Sequence, residues 1–445
     1  IVMQPLHSPD PLIVYLDFKS PYAYLAVEPT RKMLAQSGAV ADWRPFVLDI
    51  PSYLGSAKLG KSGEVKEQNR STEQWSGVKY AYFDCRRYAN LRGLTVRGTV
   101  KIWDTDLPAI GMFWLKQQES LVQQCRPDSL LSRYIDAIYE PFWKRELDVE
   151  QVDVIEGVLK GIGADVNGFR DYALGPGREF NAEFQSAAFT AGVYGVPTYI
   201  VTDADGSSIQ RYFGREHLPR VAWQLAGARG QAPDVAYEGA AGAQRLESAT
   251  KRFVMCVDFK SPAAYLAVQP TMDMADDIGA QLDWQVIATP ALREPTEPGP
   301  NPDRGAEHKF TRGRYLADDL QRYAPHALVD LYDTRRSDFA AIGLLWVTDQ
   351  HADANAYVRA VFARYWRHHE GIDSVTDIAE VLAGLDIEVA GFMAFAAGQG
   401  KARAVAMREG LAAQGVTTSP TYLLGAEPFQ GRQHLPLLRS LIDVD

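Results

Sequence analysis

The chain repeats itself, and this repeat limits the folds that are open to it. Residues 17–30 read DFKSPYAYLAVEPT and residues 258–271 read DFKSPAAYLAVQPT, so 12 of 14 positions agree at an offset of 241. Shorter matches follow in the same order, among them Pro-Thr-Tyr at 197–199 and again at 420–422. Collinear self-similarity of this kind is typical of a duplicated structural unit. The sequence therefore predicts two related domains.

The two copies are predicted to occupy residues 1–226 and 251–445. Residues 227–250 between them are rich in glycine and alanine and lack apolar periodicity, which is typical of a linker. A chain of 445 residues is long enough for each copy to bury a core of its own. We expect the two copies to form an intramolecular pseudo-dimer.

Each copy begins with a short apolar run of strand length that leads into Ser-Pro and a helical pattern. The predicted strands are residues 12–16 and 42–48 in the first copy and residues 253–257 and 282–287 in the second. Long helix-patterned regions follow at 71–192 and 311–415, and each copy closes with two short strands and a final helix. The predicted class is α/β, with the order βαβ, helices, ββα and a large all-helical insertion in each copy.

Composition excludes several functional classes. The net charge of −10 and the absence of a basic stripe argue against nucleic-acid binding, and no apolar run approaches the roughly 18 residues that cross a bilayer. The three cysteines, Cys85, Cys125 and Cys256, show no C-x-x-C spacing, which argues against a disulfide framework or a zinc knuckle. A reducing, cytoplasmic setting fits this pattern best.

No metal site is predicted either. His368-His369-Glu370 contains ligand-type side chains, but adjacent histidines on a helix point in different directions.

Ser20 and Ser261 stand between the first strand and the first long helix of their copies, each with a proline directly behind it. Serine at an N-cap followed by proline is a preferred way to begin a helix, because the hydroxyl accepts a hydrogen bond from an otherwise unpaired N–H. Capping alone is therefore a sufficient explanation of the pair. A chemical role remains the alternative.

The motifs DFKSPYAYLA and GVYGVPTYIV resemble those of the 2-hydroxychromene-2-carboxylate isomerases and the kappa-class glutathione transferases, in the DsbA-type branch of the thioredoxin fold. The resemblance implies two tandem DsbA-type domains and a glutathione site. In that site the Ser20 hydroxyl would hold the sulfur, Pro197 would be cis, and the backbone of Val196 would pair with the peptide of glutathione. Glu216 would take the γ-glutamyl ammonium, with Arg215 directly before it.

General chemistry supports the same role for Ser20. A thiol with a pKa of about 8.5 is mostly protonated near neutrality, and a helix N-terminus or a nearby cation lowers that pKa. Lys19 or Arg215 could supply the charge, although Lys19 could equally be an outward-facing edge lysine. A serine cannot form a disulfide, so the chain is not expected to be a dithiol oxidoreductase.

The two copies differ around the predicted site. Tyr22 becomes Ala263, Gly195-Val196 becomes Thr418-Ser419, and Glu216 becomes Gln433. The second-copy counterparts of the site are Ser261, Ser419 and Pro420. Because the first copy keeps more of the pattern, we expect it to carry any catalysis.

These observations predict an enzyme that acts on a small molecule. The leading hypothesis is a glutathione-dependent isomerase similar to 2-hydroxychromene-2-carboxylate isomerase, acting on an unsaturated, aromatic-derived substrate. A kappa-class-like glutathione transferase would use the same thiolate and retain the conjugate. A non-catalytic thioredoxin-fold binding protein is the alternative from another class.

Overall fold

The computed structural model describes residues 3–239, 251–333 and 336–442. The chain divides into two compact units, one of Ile1–Val235 with Gly299–Thr311 and the other of Ala236–Pro298 with Arg312–Asp445. Residues 240–250 of the predicted linker lie outside the described residues. In the part that is described, Tyr237 is buried and its N–H donates to the Gln433 carbonyl at 2.8 Å.

The first copy has the predicted order of elements with one addition. Its elements are β1 (Leu12–Leu16), α1 (Pro21–Ser37), β2 (Ala41–Pro45), α2 (Pro51–Leu54), β3 (Ala57–Leu59), β4 (Val65–Gln68), α3 (Thr72–Leu91), α4 (Asp106–Lys116), α5 (Leu121–Gln124), α6 (Leu130–Trp143), α7 (Val152–Gly161), α8 (Phe169–Leu174), α9 (Pro176–Thr190), β5 (Thr198–Thr202), β6 (Ile209–Phe213), a 3₁₀ turn (Arg215–His217) and α10 (Leu218–Leu225).

Four of these strands form one sheet in the order β2-β1-β5-β6. Strand β1 runs parallel to β2 and antiparallel to β5, and all five residues of β1 are buried. Burial on both faces explains why β1 reads as a continuous apolar run rather than an alternating one.

The second copy repeats this arrangement. Its elements are β7 (Arg252–Val257), α11 (Pro262–Ile278), β8 (Gln281–Val286), α12 (Arg304–Tyr323), α13 (Asp338–Asp349), α14 (Ala354–Phe362), a π-helical turn (Ala363–Arg367), α15 (Val375–Gly384), α16 (Phe392–Ala397), α17 (Gln399–Ala413), β9 (Thr421–Leu424), β10 (Glu427–Gln430), a 3₁₀ turn (Arg432–His434) and α18 (Leu435–Ile442). The sheet order is β10-β9-β7-β8, with β7 parallel to β8 and antiparallel to β9. The predicted fold class is confirmed.

The hairpin of β3 and β4 was not predicted. Every residue of β4 is exposed, so the segment lacks the alternation of apolar and polar residues that reveals a half-buried strand.

In both copies the helical insertion is fixed to the end of the first strand. In the first copy the Tyr139 hydroxyl donates to the Asp17 carbonyl at 2.9 Å, and the Tyr139 ring packs 4.9 Å from that of Phe18. In the second copy the Trp366 indole N–H donates to the Phe259 carbonyl at 3.1 Å. These contacts anchor the segment that carries each capping serine to the insertion.

Among the described residues, no helix combines the length and the apolar character that a bilayer-crossing segment needs.

Candidate active site

The candidate site of the first copy lies where two strand ends meet. Tyr15 of β1 pairs with Thr198 of β5 in antiparallel register, so the C-terminal end of β1 is beside the N-terminal end of β5. Ser20 follows β1 within four residues, and Pro197 directly precedes β5. The sheet therefore brings the two sequence motifs to one edge. The Val196–Pro197 peptide bond is cis, as the resemblance implied.

Ser20 caps helix α1 and has a proton left to donate. Its Oγ accepts a hydrogen bond from the Ala23 N–H at 3.2 Å, and Pro21 occupies the first helical position. Within the described residues this hydroxyl donates to no acceptor. Ser20 is only 6% exposed.

Val196, which precedes Pro197 at the same end of the sheet as Ser20, has unpaired backbone groups. Neither its N–H nor its carbonyl forms a hydrogen bond with the rest of the described chain, and the residue is 4% exposed. Most buried backbone polar groups in proteins are paired, so one donor and one acceptor left open at the same residue are unusual. They are suited to a ligand that carries a peptide group.

A buried carboxylate, Asp17, organises the loop between β1 and Ser20. Its two oxygens accept hydrogen bonds from the Leu48 N–H at 2.8 Å and from the Thr105 hydroxyl at 2.6 Å. The Lys19 ammonium lies 3.5 Å from the same carboxylate and donates to Thr105 at 3.3 Å. Lys19 is buried rather than an outward-facing edge lysine, and Asp17 neutralises most of the charge that Lys19 could offer a thiolate.

Asp17 was not predicted as a site residue, although the repeated motif contains a signal for it. The motif DFKSP is identical in the two copies, and its aspartate, Asp258, has the same kind of partners in the second copy. The Thr289 N–H donates to Asp258 at 2.8 Å and the Ser337 hydroxyl donates at 2.7 Å. The aspartate of the shared motif therefore holds the loop before the serine in both copies.

Arg215 and Glu216 lie in the 3₁₀ turn that leads into α10. The Arg215 guanidinium is buried and lies 4.7 Å from the ring centre of Tyr88 on α3. The Glu216 side chain is 23% exposed, and its Oε1 lies 4.0 Å from Nε2 of His217.

Helix α3 links Arg215 to the start of α1. The Tyr22 hydroxyl donates to the Asp84 carboxylate at 3.3 Å, four residues before Tyr88. Burial raises the pKa of the neighbouring Cys85 thiol well above its usual range, and Arg215 only partly offsets the rise. Cys85 is therefore a protonated core thiol rather than a nucleophile.

An aromatic group of the first unit that was not predicted contacts the segment before Val196. The His308 ring stacks on Tyr53 of α2, with ring centres 3.9 Å apart, and meets the Tyr194 ring edge-on at 5.4 Å. Tyr194 stands two residues before Val196. Burial raises the pKa of Tyr53 well above its usual value, and the negative charge of Asp17 adds to the rise. No local pattern at Tyr53 or His308 reveals a pairing over some 250 residues of sequence.

The second-copy counterpart has the same backbone but different pairing. Ser261 caps α11 through the Ala264 N–H at 3.2 Å, and its hydroxyl also donates to the Ser419 carbonyl at 3.0 Å. The Ser419 hydroxyl in turn accepts from the Asp258 N–H at 2.9 Å, and the Ser419–Pro420 bond is cis. The serine hydroxyl and the carbonyl before the proline therefore satisfy each other.

Across the described ranges, no group of three or more His, Cys, Asp and Glu side chains is arranged to hold a metal ion. His368 and His369 belong to no such group. The three cysteines are all free thiols.

Both copies match the same protein family. The family model for the DSBA-like thioredoxin domain matches residues 11–226 and again residues 255–443. The 2-hydroxychromene-2-carboxylate isomerase of Sphingobium xenophagum is 23% identical over 205 residues, which cover 46% of this chain and 92% of that protein.

Solved structures also match parts of the chain. A 2-hydroxychromene-2-carboxylate isomerase is 26% identical with a TM-score of 0.33, and the match covers 42% of this chain and 93% of that one. A probable DsbA oxidoreductase from Streptomyces coelicolor is 18% identical with a TM-score of 0.36, covering 52% and 96% of the two chains.

Proposed function

The chain belongs to the family of DSBA-like thioredoxin domains, matched twice along its length, and from that premise we propose that it is a glutathione-dependent isomerase. The proposed substrate is a small unsaturated molecule derived from an aromatic compound. The distant relationship to a 2-hydroxychromene-2-carboxylate isomerase supports isomerase chemistry in this branch of the family.

One observation carries the proposal: the first copy has three hydrogen-bonding groups with no partner in the described chain. These are the Ser20 O–H, the Val196 N–H and the Val196 carbonyl. Glutathione is a tripeptide with a thiol, so it offers a sulfur for the hydroxyl and an amide for the backbone of Val196. The donor and acceptor set of this chain therefore fits the cofactor.

Each residue then has a defined task. Ser20 would donate a hydrogen bond to the ionised sulfur, and the N-terminus of α1 favours negative charge at that position. Val196 holds the peptide through its backbone. Lys19 contributes little net charge, because Asp17 lies 3.5 Å away. Glu216 is proposed to bind the γ-glutamyl ammonium, and Arg215 to add positive charge from its position over Tyr88.

Glutathione, when bound, supplies a thiolate that adds reversibly to a carbon–carbon double bond and leaves after rotation. The chain's contribution is to favour the ionised sulfur and to limit water around it. Each unit by which the site lowers the thiol pKa is worth about 1.4 kcal/mol of preference for the thiolate. The low exposure of Ser20 and Val196 strengthens these polar interactions, because buried hydrogen bonds are less screened.

The experiment is a calorimetric titration of the full-length chain with glutathione, together with difference absorption of the bound thiolate. We expect Ser20→Ala to abolish the thiolate signal and to weaken binding at least about tenfold, because a hydrogen bond to a charged group is lost. Ser20→Thr keeps both a hydroxyl and the helix cap and is expected to retain the signal. Ser261→Ala is the matched variant of the second copy.

No binding of glutathione by the wild-type chain at millimolar concentration would overturn the proposal, and so would loss of the signal in Ser261→Ala with retention in Ser20→Ala. Product analysis then identifies the reaction. Release of a rearranged substrate with unchanged glutathione is expected, whereas a stable conjugate would identify a transferase.

A further inference from the structure

The second unit contains a cavity that the proposed function does not use. It has a volume of about 530 Å³ and opens beside helix α11, one turn beyond the cap at Ser261. Its polar lining comes from Tyr265, His326, Arg367 and His369. Ser261, Ser419 and Pro420 do not line it, so it is separate from the serine and cis-proline edge.

Two of these polar side chains hold each other in place. The Tyr265 hydroxyl lies 2.6 Å from Nε2 of His326, and Nδ1 of the same ring lies 3.1 Å from the Ala327 carbonyl. A carbonyl can only accept, so Nδ1 carries the proton of the neutral ring and Nε2 accepts from Tyr265. The tyrosine oxygen and the imidazole therefore form an ordered wall of the cavity.

Arg367 supplies a positive charge that the described residues leave uncompensated. Its guanidinium forms no ion pair and no hydrogen bond within the described part of the chain. The contrast with Arg364, one turn earlier, is clear: Arg364 contacts Glu370 at 3.4 Å, Asp377 at 3.4 Å and Glu380 at 2.9 Å. The π-helical turn thus ends on an exposed arginine that lines the cavity and has no counter-ion among the described residues.

The remaining walls are apolar and partly flat. Pro325, Ala327 and Val329 also line the cavity, and the Tyr265 ring stacks on Trp366 with ring centres 6.3 Å apart and an angle of 24°. A planar apolar body fits against such a wall, while a single carboxylate matches the planar fork of an arginine.

We propose that this cavity binds small aromatic carboxylates, with the carboxylate on Arg367 and the ring against the Tyr265 side. Every residue that lines the site belongs to the second copy. It does not depend on glutathione binding by the first copy, so the two proposals can fail separately.

The test is a calorimetric titration of the full-length chain with benzoate, with benzamide as the neutral probe of the same shape. We expect benzoate to bind and benzamide to bind at least about tenfold more weakly, because it cannot form the charge-assisted pair. Arg367→Gln is expected to weaken benzoate binding about tenfold or more. Arg359→Gln is the matched control, since Arg359 is an exposed arginine on α14 that does not line the cavity.

Unchanged benzoate affinity in Arg367→Gln, equal binding of benzamide, or no benzoate binding by the wild-type chain would each overturn the proposal. Thermal unfolding of both arginine variants checks that the second unit is intact. If Arg367→Gln unfolds early, Arg367→Lys replaces it, and the lysine variant is expected to bind benzoate with intermediate affinity because it keeps the charge but not the fork. Glutathione titration of the same variants separates this result from the first-copy function, which they should not alter.

Discussion

The two copies hold the same serine and the same cis-proline, but they use the surrounding hydrogen bonds differently. In the second copy the Ser261 hydroxyl donates to the Ser419 carbonyl, and the Ser419 hydroxyl accepts from Asp258. In the first copy Ser20 and Val196 form no such pair within the described chain. The second copy has satisfied these polar groups internally, whereas in the first copy they have no partner among the described residues.

The difference shows how a duplicated site can change its hydrogen bonds without losing its fold. Replacing the valine before the proline by serine supplies an internal acceptor for the Asp258 N–H, and the helix cap persists in both copies. Buried polar groups without partners are costly, so a copy released from ligand binding gains by pairing them internally. Four predictions test this comparison.

The largest effect is expected at the buried aspartates. Asp17→Ala leaves the Lys19 ammonium, whose side chain is 5% exposed, without its counter-ion, and we expect it to lower the free energy of unfolding of the first copy by about 3–5 kcal/mol. Asp258→Ala should cost the second copy less, about 1–3 kcal/mol, because the Lys260 side chain is 20% exposed and can reach water. Hydrogen exchange of the β1 and β7 amides in denaturant measures each copy separately.

Asp17→Asn is the control for shape, since it keeps the size of the side chain and one acceptor oxygen. Its loss of unfolding free energy should be smaller than that of Asp17→Ala but greater than zero. Equal losses in Asp17→Ala and Asp258→Ala would contradict the idea that burial of the lysine partner sets the difference.

The next largest effect on stability is expected at Ser419, the residue before the cis-proline of the second copy. Ser419→Val gives the second copy the residue of the first and leaves the Asp258 N–H without its side-chain acceptor, so we expect a loss of about 1–3 kcal/mol in that copy. Ser419→Thr keeps the hydroxyl and should restore most of the stability. Thermal denaturation of the two variants, together with hydrogen exchange at the β7 amides, measures the difference. Equal stability of the valine and threonine variants would refute this account.

A smaller difference is expected between the two capping serines. Ser20→Ala and Ser261→Ala should each lose about 1 kcal/mol through the missing cap. Ser261→Ala also loses the bond to the Ser419 carbonyl, which adds about 1 kcal/mol. Chemical denaturation of both variants measures the excess, and a greater loss in Ser20→Ala would show that its hydroxyl has a structural acceptor after all.

The sequence was sufficient for the features that repeat. The apolar run 12–16 is the first strand with the same bounds, because a strand buried on both faces leaves an uninterrupted apolar pattern. The order of elements followed from the second copy, where the same signals recur. The exposed hairpin at β3 and β4 left no such pattern, and the prediction omitted it.

The properties of the site were less accessible to sequence analysis. Ser20 and Ser261 occupy identical motifs, and only the pairing of Ser261 with a residue 158 positions away separates them. The contact of His308 with Tyr53 likewise depends on which segments the fold brings together. Lys19 was open to an edge interpretation because a strand pattern does not reveal a buried counter-ion such as Asp17.

The smallest effect is expected when the first copy receives the hydroxyl that the second one has. In Val196→Thr the branched shape is kept and the new hydroxyl can accept from the Asp17 N–H, as Ser419 accepts from Asp258. The new bond and the burial of the hydroxyl nearly offset each other, so the stability should change by no more than about 0.5 kcal/mol. Glutathione binding should remain within about threefold of wild type, because only the backbone of residue 196 is assigned to the ligand. A loss of binding beyond tenfold, with the fold intact by exchange at β1, would show that the valine side chain rather than its N–H and carbonyl distinguishes the first copy from the second.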